Sequence, residues 1–160
     1  MVLCIRSTCD PDNRSLIPLC ILWNSLLNTR YESWCFMFRL LVTGSRDWKD
    51  RTALENELRL VVREFGKDVT LISGSAVQGA DAMCESYANR VGWLIEAHPA
   101  DWVLHGKSAG FKRNALMVER GADRCLAFIK DGSAGASHTA DLAEKAQIQT
   151  VRVVCSLPKF

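Results

Sequence analysis

Residues 71–81 read LISGSAVQGAD, in which an apolar run gives way to a loop of small residues. The run from Val69 to Ile72 predicts a buried strand, and a helical pattern follows the loop. Gly74 and Gly79 would let the backbone approach a ligand closely, and the N–H groups of the following helix would point at a negative charge. The stretch therefore indicates an anion-binding turn at the carboxyl edge of a parallel sheet. A tight turn without a ligand, with Asp81 offsetting the helix dipole, would show the same pattern.

Strands and helices alternate on both sides of this turn. The periodicity predicts strands over residues 39–43, 69–73, 93–97, 124–129 and 150–154. It predicts helices over residues 51–65, 80–91 and 111–120, and a fourth from Ser137 or His138 to Gln147. We expect a three-layer α/β/α domain with a five-stranded, mainly parallel sheet in the order 3-2-1-4-5. Right-handed crossovers would bring the loops 44–48, 73–81, 101–114 and 130–138 to one edge.

Composition excludes several classes of protein. The 160 residues are 48% hydrophobic and 24% charged, which is ordinary for one globular domain. The net charge of +2, with no block of like charges, makes no case for nucleic acid or an anionic membrane as partner. No apolar run reaches about 18 residues, so no membrane span is predicted. The seven cysteines form no Cys-x-x-Cys pair, so no metal site is predicted. We interpret the later ones as buried hydrophobes in a reducing compartment, the cytoplasm.

The first residues differ in composition from all that follow. Residues 1–36 are rich in cysteine and lack a clear period, whereas a strand pattern begins just after Met37. We therefore expect an N-terminal extension before a domain of residues 37–160. It would be either a weakly ordered addition or the product of a start codon assigned upstream of Met37. The alternative is an apolar helix over residues 16–27 that packs on the domain.

Two loops carry residues suited to a phosphate. Arg113 follows Gly110 in the first turn of the predicted third helix, where a cation opposes the helix dipole. Such a placement is tolerated when helix and side chain share an anion, so we predict that Arg113 holds a phosphate. Asn114 would cap or orient a neighbouring loop. Residues 132–135, Gly-Ser-Ala-Gly, predict a second phosphate-type turn, although a plain helix start would read the same way.

Three acids and two tryptophans lie in the same loops. Asp47, Asp81 and Asp101 are the candidate catalytic residues, because each could activate water or bind sugar hydroxyls. Each could equally cap a turn or helix. Trp48 and Trp102 could stack on a base or close the edge of the core.

The known phosphate-loop motifs are absent. Gly106-Lys107-Ser108 matches the end of a Walker A motif, but the glycine required five residues earlier is Asp101. The first strand also lacks the Gly-x-Gly-x-x-Gly fingerprint, which disfavours a standard NAD dehydrogenase.

Four stretches together resemble a known family. They are LVTGSRDW at residues 41–48, ISGSAVQGAD at 72–81, PADWVLHGKSAGFKRN at 99–114 and GSAGASHT at 132–139. Their order and spacing resemble the YspA/YpsA-related branch of the SLOG superfamily, small Rossmann-like proteins frequent in bacteria and phages. The resemblance covers about residues 37–155. It implies a small nucleotide or nucleotide-derived ligand at the carboxyl edge of the sheet, and a homodimer by superfamily analogy. No cofactor other than such a ligand is predicted.

The loop residues and the resemblance together predict which residues contact the ligand. They are Gly44, Ser45, Arg46, Asp47, Ser73, Gly74, Ser75, Gly79, Asp81, Asp101, Trp102, Lys107, Arg113, Asn114, Gly132, Ser133, Gly135 and Ser137. The leading prediction is a nucleotide-binding sensor or processing protein. The alternatives are a hydrolase of N-glycosidic or phosphoester bonds, and a DNA-binding accessory protein like those of the DprA type.

Two departures from the superfamily bear on catalysis. The LOG phosphoribohydrolases, which cleave nucleoside monophosphates, carry Gly-Gly-x-Gly-Thr-x-x-Glu. Here Ala136 stands at the threonine and Thr139 at the catalytic glutamate. The loop after the second strand also lacks the second glycine and the arginine usual in close relatives. These changes count against LOG-type hydrolysis more than against ligand binding.

Overall fold

A computed structural model describes residues 37–155 of the chain. The predicted extension of residues 1–36 lies outside the described residues and stays a prediction. The elements, in order, are β1 (Phe38–Gly44), α1 (Arg51–Phe65), β2 (Val69–Ser73), α2 (Ala80–Val91), β3 (Leu94–Ala97), α3 (Trp102–His105), a 3-10 turn (Gly106–Ser108), α4 (Ala109–Glu119), β4 (Arg124–Lys130), α5 (Ala134–Lys145) and β5 (Gln149–Cys155).

The five strands form one sheet in the order β3-β2-β1-β4-β5, and every neighbouring pair is parallel. The predicted order is confirmed. The chain adds β2 and β3 on one side of β1 and then crosses over to add β4 and β5 on the other side. The strand order therefore reverses at β1. In open α/β sheets the crevice outside such a reversal is the usual place for a ligand.

Both faces of the sheet are covered, because the strands are apolar on both sides. Leu40 and Val42 of β1 pack in one fully buried cluster with Leu54 of α1. Leu41, which points to the other face, packs with Met117 of α4 in a second cluster. A run of buried residues without polar alternation is the pattern of a strand covered on both faces. The predicted three-layer α/β/α arrangement is confirmed.

The structure corrects the starts of two helices. The predicted loop over residues 98–110 contains α3 and a 3-10 turn, and α4 begins at Ala109 rather than Phe111. The carboxylate of Asp101 accepts a hydrogen bond from the Leu104 amide at 2.8 Å and so begins α3. Arg113 is consequently the fifth residue of α4 and lies beyond its first turn. The prediction that Arg113 lies in the first turn of the helix and opposes its dipole is therefore wrong.

Helix α5, which corresponds to the last helix predicted from the sequence, also begins earlier than predicted. It starts at Ala134 rather than at Ser137 or His138. Its first residues are small, so no apolar period marks them in the sequence. Gly135 therefore lies inside the helix and not in the turn before it.

Trp48 closes the edge of the core. Its side chain is buried, its indole N–H donates to the Asp50 carbonyl oxygen at 2.8 Å, and its ring lies 5.5 Å from that of Phe128. Of the two tryptophans in the predicted site loops, only Trp102 is exposed.

No helix within residues 37–155 combines the length and the apolar character needed to cross a membrane.

Candidate functional site

A cleft of about 420 Å³ opens at the carboxyl edge of the sheet, where the strand order reverses. All four predicted loops contribute to it, as the right-handed crossovers require. Its lining consists of Thr43, Gly44, Arg46, Asp47, Ala76, Asp81, Trp102, Lys107, Gly110, Phe111, Arg113, Asn114, Ser133, Gly135 and Ala136.

Two glycines allow the loop after β1 to pack against the start of α2. A Cβ at Gly44 would fall on the methyl group of Ala80. Gly79 has a φ of +82°, and a Cβ there would fall on the backbone of Ser45 and Arg46. Both positions therefore need glycine to keep the loop and the helix in contact, and Gly44 also lines the cleft.

The predicted serines near β1 and β2 are engaged within the protein. Ser45 is buried, and its Oγ accepts a hydrogen bond from the Lys130 amide at 2.9 Å. The Oγ of Ser73 accepts one from the Ser75 amide at 3.1 Å, and the Ser75 hydroxyl donates to Glu85 at 2.9 Å. None of the three lines the cleft of about 420 Å³. They shape the loops around it.

Asp81 is the buried acid of the cleft, only 5% exposed. Burial raises the pKa of its carboxyl to about 6, against the opposing effects of the Arg113 guanidinium and the Ala76 amide. Its Oδ1 has no hydrogen-bond partner within residues 37–155. Buried polar atoms normally have a partner, and the unmet hydrogen-bonding capacity of this oxygen is suited to a hydroxyl or amino donor.

The two other candidate acids are exposed and already engaged. Asp47 stands at the rim of the cleft, where the Lys130 ammonium, 3.0 Å away, lowers the pKa of its carboxyl. Asp101 caps α3 and does not line the cleft. The capping alternative therefore describes Asp101, whereas Asp81 has the environment of a chemically active carboxyl group.

Arg113 ties two loops together. Its guanidinium donates to the carbonyl oxygen of Gly74, after β2, and to that of His98, after β3, at 3.2 Å. A Cβ at Gly74 would collide with this guanidinium, so a side chain there would displace Arg113 from its hydrogen bond to the Gly74 carbonyl oxygen. The side chain is half-buried and lines the cleft, and burial lowers its pKa while Asp81 opposes the change. Arg113 is thus both a structural tie and a positive charge facing the cleft.

The start of α5 forms the opposite wall. Ser133 is its N-cap residue but makes no side-chain capping hydrogen bond, and Ser133, Gly135 and Ala136 line the cleft. The amide of Asn114 donates to the Gly135 carbonyl oxygen at 3.3 Å and so orients this turn, as predicted. The first N–H groups of a helix without a side-chain cap are an anion-binding site. Gly132 and Ser137, two predicted ligand residues, do not line the cleft.

Comparison with known proteins identifies the family. A model of the YspA, cpYpsA-related SLOG family matches residues 38–105. The Gene 61 protein of Mycobacterium phage D29 is 40% identical over 120 residues, which cover 72% of this chain and 95% of the phage protein. The chain belongs to the YspA, cpYpsA-related SLOG family.

Membership in this SLOG family makes position 139 informative, since LOG enzymes carry their catalytic glutamate there. In this SLOG protein Thr139 is fully buried, and its hydroxyl donates to the Gly135 carbonyl oxygen at 2.9 Å. The side chain is part of α5 and does not line the cleft. The structure thus places no carboxylate at the position that LOG enzymes use.

Some cleft residues escaped the sequence reasoning. They are Thr43, Ala76, Gly110, Phe111 and Ala136. Thr43 directly precedes Gly44 at the carboxyl end of a predicted strand. That position was a usable signal of a cleft residue. Ala76 and Ala136 are small apolar residues without a chemical signature. Gly110 and Phe111 fell at the predicted helix start, which the structure moves to Ala109.

Proposed function

We propose that this protein binds a nucleotide or nucleotide-derived small molecule in the cleft at the carboxyl edge of the sheet, as a sensor or processing protein. One observation carries the proposal. The uncapped start of α5 and Asp81, whose Oδ1 is buried without a hydrogen-bond partner, line the same cleft. The first suits a phosphate group and the second suits a sugar hydroxyl or an amino group. Membership in the SLOG family points in the same direction.

The charges around the cleft favour an anionic ligand. Arg46 and Lys107 are exposed at its mouth, and Arg113 faces it from within. In this proposal the first-turn amides of α5 hold the phosphate, and these cations supply the counter-charge. The volume of about 420 Å³ lies within the range of roughly 300–1,000 Å³ typical of small-molecule sites.

A thermal-shift screen of the full chain tests this proposal. The probes are nucleoside monophosphates, NAD, ADP-ribose and cyclic nucleotides. A ligand at about 100 times its Kd should add roughly 2.7 kcal/mol to the free energy of unfolding and raise the melting temperature. Lys107→Ala should weaken the shift, whereas Lys67→Ala, which removes an exposed lysine outside the cleft, should leave it unchanged. A screen in which no probe raises the melting temperature would contradict the proposal.

Hydrolysis is the second candidate, and the environment of Asp81 favours it. A carboxyl group with a pKa of about 6 is suited to act as a general acid or base near neutral pH. Product analysis of every ligand found in the screen would detect cleavage of its N-glycosidic or phosphoester bond. Asp81→Asn should then lower the rate by about 100-fold or more. Cleavage at an unchanged rate in this variant would exclude Asp81 as the catalytic group.

A further inference from the structure

A second cavity, of about 590 Å³, adjoins the cleft at its mouth. The two cavities share Arg46, Ala76, Trp102 and Arg113 as lining residues. The second cavity is otherwise bounded by the loop of residues 74–78 and by Pro99 and Ala100. A ligand that starts at α5 and passes Trp102 would therefore enter the second cavity.

Trp102 stands at the boundary between the cavities. Its side chain is half exposed, and the guanidinium carbon of Arg46 lies 5.7 Å from the centre of its ring. The edge of the indole rests against α4 at Gly110, where an added Cβ would lie 3.6 Å from the Cη2 atom. The ring is thus supported on one side, and its face is covered by an exposed arginine rather than by the core.

A cation over an exposed aromatic ring is a weak and replaceable contact, worth about 0.5–1 kcal/mol in general. Stacking of a nucleobase on an aromatic side chain is typically stronger. An arginine displaced from the ring also keeps a favourable partner when a phosphate is nearby. The Arg46–Trp102 pair has both features that such an exchange requires. The contact of the cation with the ring is exposed, and Arg46 lines the same cleft as the start of α5, where the phosphate is proposed to lie.

We propose that Trp102 is the base-stacking residue of the site and that a nucleobase replaces the Arg46 guanidinium over its ring. The base then occupies the second cavity, the phosphate lies at the start of α5, and Arg46 turns towards the phosphate. This inference rests on the proposed function and narrows it. The ligand class is a nucleoside phosphate that uses both cavities, rather than a sugar phosphate that uses only one.

Calorimetric titration of the full chain distinguishes binding of the base in the second cavity from binding of the phosphate at the start of α5. The probes are AMP, GMP, CMP and UMP, each compared with ribose 5-phosphate, which lacks a base. At least one nucleotide should bind the natural protein more tightly than ribose 5-phosphate. Trp102→Ala should weaken that nucleotide by about 5- to 150-fold and leave ribose 5-phosphate nearly unchanged. Trp102→Phe should retain part of the affinity, because it keeps an aromatic face.

Two further variants serve as controls. Val103→Ala alters the neighbouring side chain, which is 100% exposed and lines neither cavity, so it should change no affinity. Arg46→Ala should weaken ribose 5-phosphate at least as much as the nucleotides, because it removes a phosphate partner from both but also uncovers the Trp102 ring for a base. Circular dichroism and the melting temperature would show that each variant folds.

Three outcomes would overturn the inference. Trp102→Ala could weaken ribose 5-phosphate as much as the nucleotides, which would assign Trp102 to the shape of the cleft. It could leave nucleotide affinity unchanged, which would place the base elsewhere. The natural protein could also bind every nucleotide no more tightly than ribose 5-phosphate. If none of the nucleotides or ribose 5-phosphate binds the natural protein, the inference also fails, whereas the proposed function fails only if NAD, ADP-ribose and the cyclic nucleotides also give no thermal shift.

Discussion

Among single residues, Asp81 links stability to function most directly. Its carboxyl group is buried beside Arg113, and one of its oxygens has no partner within residues 37–155. Burial of an incompletely paired charge costs free energy that the unbound protein does not recover. A ligand that donates a hydrogen bond to this oxygen would remove part of that cost. Such destabilised groups are typical of functional sites.

The burial of Asp81 predicts a specific pH dependence. Its pKa is raised from 3.8 to about 6 on folding, so its favourable contribution is complete below pH 4 and is lost as the pH rises through 6. Relative to Asp81→Asn, the natural protein should therefore lose up to about 3 kcal/mol of stability between pH 4 and pH 7. Urea unfolding of both proteins across this range measures the difference.

Asp47→Asn is the matched control, because the pKa of Asp47 is lowered rather than raised. Its contribution is present above its unfolded pKa, near 3.8, and is lost only as the pH falls below that value, so the difference between Asp47→Asn and the natural protein should stay constant from pH 4 to pH 7. Stability curves of the natural protein and Asp81→Asn that run parallel from pH 4 to pH 7 would contradict the account of Asp81.

Gly79 and Gly92 share a φ of +82° but differ in ψ and in surroundings. Gly92 is left-handed helical with a ψ of 30° and has nothing near an added Cβ, whereas Gly79 has a ψ of −148° and faces backbone atoms there. Gly92→Ala should cost about 1 kcal/mol, the penalty of a left-handed alanine. Gly79→Ala should cost about 1–3 kcal/mol more, because its backbone conformation favours glycine more strongly and the loop after β1 must move. Chemical unfolding measures both, and equal losses would contradict the close packing.

Residue roles were only partly readable from the sequence. The small-residue loop indicated Gly74, Gly79 and Asp81, but it predicted that the glycines approach a ligand, whereas Gly79 packs against the loop after β1. The role of Arg113 did not, because its bonds to the carbonyl groups of residues 74 and 98 depend on three loops meeting. Capping by Asp101 was an open alternative that only the start of α3 could decide.

Among the elements, α5 matters most for the proposed site. Its start was placed too late in the sequence, because its first residues, Ala134 to Ala136, carry no apolar period. By contrast, α1 and α2 occupy the residues predicted for them, 51–65 and 80–91, since both combine periodic apolar positions with a glycine just beyond the end.

A negative charge placed at the start of α5 should raise the stability of the protein and lower its affinity for a nucleotide. Ser133→Asp supplies a capping carboxylate that Ser133 itself does not supply, and should raise stability by about 0.5–1 kcal/mol. The same carboxylate would repel a phosphate and lower nucleotide affinity by 10-fold or more. Melting temperature and calorimetry measure the two effects.

Ser108→Asp is the control for this helix. Ser108 is the exposed N-cap residue of α4 and does not line the cleft. Ser108→Asp replaces a hydroxyl that donates to the His105 carbonyl oxygen at 2.8 Å, and the added charge should leave nucleotide affinity unchanged. An undiminished affinity in Ser133→Asp would show that the phosphate does not lie at the start of α5.

For the molecule as a whole, the architecture was predictable and the site only in outline. Strand order and layers follow from alternating apolar segments and right-handed crossovers, which depend on pattern rather than detail. The convergence of the four loops follows from the same rules. Which side chains face the cleft depends on helix starts and hydrogen bonds across loops, so Ser45 and Ser73 were assigned to the ligand although both serve the protein's own loops.

Superfamily analogy also predicts a homodimer. Light scattering of the full chain, with and without a bound nucleotide, would measure its mass in solution. A mass near twice 17.9 kDa is expected, and a mass of one chain under both conditions would contradict the prediction.

The most direct test of the central claim is an NMR titration of the ¹⁵N-labelled chain with the tightest-binding nucleoside monophosphate of the four. We predict that the largest amide shifts fall at Ala134, Gly135 and Ala136, accompanied by a shift of the Trp102 indole N–H. Amides of α1, which lines neither cavity, should remain unchanged. Saturation without a shift at residues 134–136, or shifts centred on any other surface, would contradict binding at the carboxyl edge of the sheet.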